Sequence, residues 1–311
     1  LKNWQYTFIV FLGGCCYGAL STFVKLAYRV GLTPTQVTGG QYFFGTVLIW
    51  LLVLFTKKKR LSWRQVVKIL ASGIPFGFTG LLYYQSLQTL HASLAIIFLF
   101  QFVWVGAIFE WVFNKKKPSR RKLISIAVLL IGSVLAANIA LGQTGDFSWQ
   151  GMILGLLSAV TYTSFIFLSG SVEKDAPPVL KSALLSTGGL LVISILFPPS
   201  FLLDASVMGT LFPYGLVLGF FGVALPPLLF SIGLPHVGPA LGTILSASEL
   251  PMAVTMSFFI LAEKVTPLQW LGVLLIIVAI IGGNGRPNKK EEPVACDSRD
   301  SQSLRAAYKK G

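Results

Sequence analysis

Long apolar runs and short polar gaps alternate along this chain. The runs lie at about 7–27, 36–56, 66–87, 91–113, 122–141, 150–170, 180–199, 210–233, 238–261 and 267–285. Each is near the ~20 residues a helix needs to cross a hydrocarbon core of about 30 Å. The apolar residues are continuous rather than alternating at every second position. They therefore predict helices and not the roughly ten-residue strands of a transmembrane barrel. Lipid offers no hydrogen-bond partner, so each span must satisfy its backbone internally. Two of the gaps, LQTLHAS and GLPHVGP, are short and uncharged, and Pro235 and Pro239 are expected to break the chain in the second. The predicted fold class is an all-α polytopic membrane protein with ten transmembrane helices.

The charges support that count. Lys57, Lys58, Lys59, Arg60, Arg64 and Lys68 fall in one gap, and Lys115, Lys116, Lys117, Arg120, Arg121 and Lys122 in another. Both gaps follow even-numbered runs, so both belong to one face. With Lys2, Lys174, Lys181 and the polar end of the chain, that face collects 22 of the 25 basic residues. The other face keeps Arg29 and Lys264, with Asp146, Asp204 and Glu263, while Lys25 near that end of the first run is expected to snorkel outward. Basic residues stay cytoplasmic, so both termini are expected in the cytoplasm and the protein in the cytoplasmic membrane.

Composition changes the picture little. Hydrophobic residues make up 54% of the 311 and charged residues 12%, about half the charge of a soluble domain. The net charge of +14 sits beside membrane spans, where attraction to anionic lipid accounts for it, so no nucleic-acid partner is implied. The lipid bilayer is the partner these features imply. Cys15, Cys16 and Cys296 form neither a disulfide framework nor a metal spacing, and no Walker-type loop is present. No metal, cofactor or catalytic residue is expected. Residues 286–311 read as a polar cytoplasmic tail, disordered by composition.

The runs repeat. GCCYGALSTFVKLAYRVGLTP in the first resembles SAVTYTSFIFLSGSVEKDAPP in the sixth, with Tyr17 falling on Tyr162. ASLAIIFLFQFVWV in the fourth lies over ALGTILSASELPMA in the ninth, with Gln101 on Glu249 and Trp104 on Met252. Residues 1–141 and 150–285 are thus two five-span repeats. An odd number of spans makes the second copy enter from the opposite side, the inverted topology of several secondary transporter folds.

These features resemble the drug/metabolite transporter superfamily, in particular its ten-span members with two EamA-type domains. The resemblance rests on an aromatic–small pair in the first span of each repeat, Tyr17-Gly18 and Tyr162-Thr163. It rests also on a fourth span with a carboxylate and a proline near its middle, and on LAEKVTPLQWLGVLLIIVAIIGG, where Glu263, Pro267 and Gly272 look like the family's repeat ending. The first repeat departs from the pattern: QFVW replaces the Glu-and-Pro element and NKKKPSRRK replaces the Glu-containing turn. The resemblance implies a secondary transporter that exports a small metabolite, an amino acid or an amphipathic, drug-like compound, by alternating access. An intramembrane enzyme would need clustered acids, histidines or a nucleophile–base pair, which the runs lack. A membrane scaffold or sensor without transport is the other alternative.

Glu249 is the sharpest candidate. It lies near the middle of its run, where an ionised side chain costs a few kcal/mol unless it faces a wet or partnered interior. A carboxyl held there suits proton uptake and release, so a coupling proton is a candidate partner; a structural, hydrogen-bonded Glu is the competing reading. Gln101, Trp104, Tyr17, Tyr162 and Asn138 are the further expected pathway residues. Pro75, Pro226, Pro227 and Pro251 are expected helix breaks or hinges. Tyr83 and Tyr84 read as an interfacial belt, Glu110 as a partner of Lys115–Lys117, and His91 and His236 as helix-end residues. The small-residue stretch GGCCYG packs helices within one chain or between two, so monomer and homodimer both stay open.

Overall fold

The computed structural model describes residues 2–56, 61–90, 92–115, 117–137 and 148–283; Asn138, His91 and the tail fall outside them. Side-chain caps set several helix starts. Thr33 and Gln36 exchange hydrogen bonds at the head of α2 (Pro34–Leu54), as do Ser62 and Gln65 at the head of α3 (Trp63–Leu87). Each exchange satisfies two of the backbone N–H groups that a helix start leaves over. Ser119 caps α6 (Arg120–Ala136), Ser148 caps α7 (Trp149–Ser171) and Asp204 caps α9 (Ala205–Gly219).

Every predicted span has a helical counterpart, but several are not single helices. The first is α1 (Asn3–Arg29) and the seventh α8 (Pro178–Leu196). The fourth splits into α4 (Ala92–Phe100) and α5 (Phe102–Asn114) at Gln101. The ninth splits into α11 (Pro239–Ser246) and α12 (Glu249–Leu261) at Ala247 and Ser248. The eighth runs from α9 through one π-helical turn, Phe220–Ala224, into α10 (Leu225–Val237). The tenth is α13 (Pro267–Gly283). Among the described residues, eight helical segments are long and apolar enough to cross a membrane, and α13 is a shorter apolar helix. Pro235 does not break its helix as expected: α10 continues past it, and the turn comes at Gly238, whose φ of 87° favours glycine.

The helices pack as two inverted halves. α3 lies on α7 as α10 lies on α1, and α3 lies on α8 as α9 lies on α2. α11 and α12 lie along α1 as α4 and α5 lie along α7. α2 with α8 and α6 with α13 each join an element to its own counterpart, while α10 also packs on α7 and α8. A two-fold relation between the halves accounts for the matched pairs. The GGCCYG face packs inside the chain: Gly13 abuts Phe230 and Gly14 abuts Ser246 and Ser248.

One buried cation closes a helix end. Lys181, 1% exposed, donates to the carbonyls of Ser169 (2.8 Å) and Val172 (2.6 Å). It thereby satisfies acceptors that the end of α7 leaves open.

Candidate functional site

The site begins where the first span of each half meets the broken span packed on it. Gly18 of α1 leaves room for the break of the ninth span; a Cβ there would overlap the Glu249 carbonyl oxygen. In the other half the hydroxyl of Thr163 of α7 is shared between the Ala159 carbonyl at 2.9 Å and the Phe102 carbonyl at 3.1 Å, the latter just past the break of the fourth span. The aromatic residue preceding each small one, Tyr17 or Tyr162, is then turned inward. The two rings meet edge to face with centroids 5.8 Å apart.

Above them opens a cavity of ≈200 Å³, lined by Tyr17, Tyr162 and Glu249 at its deep end. It follows α1 up to Lys25 and α3 from Phe76 to Leu87, towards the face on which both helices end. Below it, Tyr17, Phe76, Phe165 and Phe230 form a continuous aromatic layer, in which Phe76 and Phe165 stack at 4.6 Å.

Glu249 is the first residue of α12 and borders this cavity. Its carboxyl makes no hydrogen bond or ion pair among the described residues. Pro251 sits in that first turn, where its missing N–H has no helical acceptor to lose. The phenol hydroxyls of Tyr17 and Tyr162 are buried and have no hydrogen-bond partner. Ser246, beside Tyr162, donates instead to the Gly242 carbonyl at 2.9 Å. Two other tyrosines of the wall are occupied: Tyr42 donates to the Phe76 carbonyl at 2.8 Å, and Tyr84 to Gln41 Oε1 at 3.5 Å.

At the mouth, Lys25 reaches both Glu263 oxygens at 3.0 Å, so it does not simply snorkel outward. The Ser257 hydroxyl also donates to Glu263. Burial raises the Glu263 carboxyl, but the hydrogen bonds from Ser257 and Lys25, with the charges of Lys25 and Arg29, outweigh it. They hold Glu263 below the ordinary carboxylate range.

The expected pathway residues are therefore divided. Tyr17, Tyr162 and Glu249 come together. Gln101 and Trp104 do not join them: Trp104 Nε1 donates to Gln101 Oε1 at 2.7 Å, and Gln101 Nε2 to the Ile97 carbonyl at 3.0 Å. Tyr83 and Tyr84, read as a belt, line the cavity instead. Glu110 pairs with Lys122 at 2.8 Å, on the next helix rather than in the loop. Pro75 lies within an unbroken α3, and Pro226 and Pro227 follow the π turn. His236 ends α10 stacked on Tyr6, with ring centroids 3.8 Å apart. No grouping of metal-ligating side chains occurs among the described residues.

Comparison with known proteins agrees with this architecture. One solved crystal structure superposes with a TM-score of 0.75 over 91% of this chain and 97% of its own, at 15% identity, which shows the shared fold. The chain is 23% identical over 194 residues to the uncharacterized transporter YwfM of Bacillus subtilis (strain 168), an alignment covering 60% of this chain and 62% of that relative. It is 25% identical over 252 residues to the threonine/homoserine exporter RhtA of Escherichia coli (strain K12), covering 79% of this chain and 80% of that one. The EamA-like transporter family matches residues 4–138 and 149–284. With nearly every described residue inside those two matches, the chain belongs to the EamA-like transporter family, as a multi-pass membrane transporter and not an enzyme.

Proposed function

We propose that this protein exports a small polar metabolite of amino-acid size across the cytoplasmic membrane by alternating access, with Glu249 on the path. The observation that carries the reading is the unpaired Glu249 carboxyl in the wall of a cavity that runs along α1 to Lys25 and along α3 to Leu87. A carboxyl at that depth is costly unless it serves a wet cavity or a bound solute. With both termini cytoplasmic, the open face is the extracytoplasmic one, and the Tyr17, Phe76, Phe165 and Phe230 layer is the inner seal. Inward opening then parts this layer while the two halves rock about the α1 and α7 crossings.

Size favours a metabolite over a drug-like compound: ≈200 Å³ falls below the roughly 300–1,000 Å³ of drug-sized sites. The similarity to a threonine/homoserine exporter supports an amino-acid-like cargo. A proton taken up by Glu249 is the candidate coupling partner.

The test is growth of a sensitive bacterial host producing wild type or Glu249→Gln at matched membrane levels, challenged with toxic amino-acid analogues and with amphiphilic cations. Protection against the analogues, lost in Glu249→Gln, is expected. Protection against the cations alone contradicts the cargo class. Equal protection by both proteins contradicts the role of Glu249.

A further inference from the structure

We infer that the deep end of the cavity is a primary-ammonium site, in which Glu249, Tyr17 and Tyr162 together accept the three N–H bonds of an –NH₃⁺ group on the solute. The inference rests on the cavity being the solute path and adds the chemistry of what it holds.

Three acceptors converge there without protein partners. Glu249 supplies a carboxylate, and Tyr17 and Tyr162 supply phenol oxygens that are buried and unbonded. A buried polar atom left unpaired is costly, so two such hydroxyls beside one unpaired acid point to a ligand. Of the other wall tyrosines, Tyr42 and Tyr84 bond within the protein, and Tyr83 lies on α3 along the same wall.

When ionised, Glu249 repels an anionic group and attracts a cation. Two kinds of cation remain. A quaternary ammonium is recognised by aromatic faces alone; it has no N–H to offer and would leave both hydroxyls and part of the carboxylate unpaired. A primary ammonium has three donors and matches the three acceptors. The crossing geometry that turns Tyr17 and Tyr162 inward places their rings 5.8 Å apart, on either side of the two-fold relation and next to an acid that only one half carries. The scaffold thus supplies a symmetric pair of neutral acceptors, and the second half adds the charge.

The experiment is calorimetric binding to the purified full chain in lipid nanodiscs. The probes are threonine, phenethylamine and cadaverine, each beside its N-trimethylated counterpart and the counterpart with hydroxyl in place of amine. At least one primary amine is expected to bind. Its two counterparts should bind about tenfold more weakly or worse, the loss of a charge-assisted hydrogen bond being worth that much. Tyr17→Phe and Tyr162→Phe, which keep ring and packing, should each weaken the amine by about tenfold while leaving the melting temperature near wild type. Equal binding of a trimethylated or hydroxyl counterpart, unchanged affinity in both Phe variants, or no binding by any primary amine would overturn the inference. Uptake into proteoliposomes separates this from the transport reading. An amine that binds but is not moved contradicts transport and leaves the site standing. A solute moved equally with and without its amine contradicts the site and leaves transport standing.

Discussion

Gln101 and Glu249 occupy corresponding places where the fourth span of each half breaks, and their side chains have opposite fates. Gln101 is closed upon its own helices, with its amide on the Ile97 carbonyl and its oxygen taken by Trp104. Glu249, one residue past the other break, has no such partner and faces the cavity. The approach of the neighbouring helix differs in the same way: glycine against the Glu249 carbonyl in one half, a threonine hydroxyl on the Phe102 carbonyl in the other. The two-fold scaffold explains why a broken helix stands on each side of the centre. It does not require both breaks to carry chemistry. One is a finished structural joint, and the other is left open for a solute.

Substitutions at the two joints should separate these roles. The largest effect is expected from Gly18→Leu, whose Cβ would strike backbone rather than a flexible side chain. Overpacking of this kind costs about 1–3 kcal/mol and occasionally more, and here it should abolish a monodisperse peak in detergent. Thr163→Ala removes one hydroxyl contact in the matching crossing and should cost only about 1 kcal/mol, read as a small drop in melting temperature. If the two behave alike, the joints are not built differently.

Moving the acid is the next test. The double variant Gln101→Glu with Glu249→Gln preserves total charge but puts the carboxylate outside the cavity. Transport should stay at the level of Glu249→Gln alone. Recovery would mean that residue 101 reaches the path after all. By itself, Gln101→Leu should lower stability by about 1–3 kcal/mol through the stranded Ile97 carbonyl and Trp104 N–H, with transport per folded molecule unchanged.

The smallest effect concerns the mouth. The Glu263 carboxyl is held below its ordinary value in the folded protein. Its ion pair with Lys25 therefore stabilises fully above the unfolded value of about 4.3, and the contribution is lost as pH falls through the lower folded value. A melting series should show a shallow loss at the acid end that Glu263→Gln lacks. The pair is partly exposed, so raising the salt concentration should flatten the difference.

The spans and their inverted order were legible because lipid forces long, continuous apolar runs and because lysine and arginine sort by side. The Tyr17-Gly18 and Tyr162-Thr163 pairs were legible as a repeat, though not as the two crossings that hold the breaks. The breaks were harder. ASLAIIFLFQFVWV contains neither glycine nor proline, so nothing local marks Gln101 as a turn. Yet Trp104, three residues on, was within reach of its amide along a helix, and that spacing was a readable sign of a self-contained pair. Tyr83 and Tyr84 misled because a position near a span end suits both an interfacial belt and a cavity wall, and only the packing of α3 on α7 and α8 decides between them. Lys181 read as one more cytoplasmic cation; its burial follows from the carbonyls at the end of α7, a demand made by another helix.

The measurement that bears most directly on the account is solute flux into proteoliposomes of wild type, Glu249→Gln and Gln101→Leu, normalised to folded protein, with and without a proton gradient. The account predicts that Glu249→Gln falls to the protein-free background and loses any response to the gradient, while Gln101→Leu keeps the wild-type rate. Flux by Glu249→Gln equal to wild type, with Gln101→Leu inactive, would contradict it and place the path at the other joint.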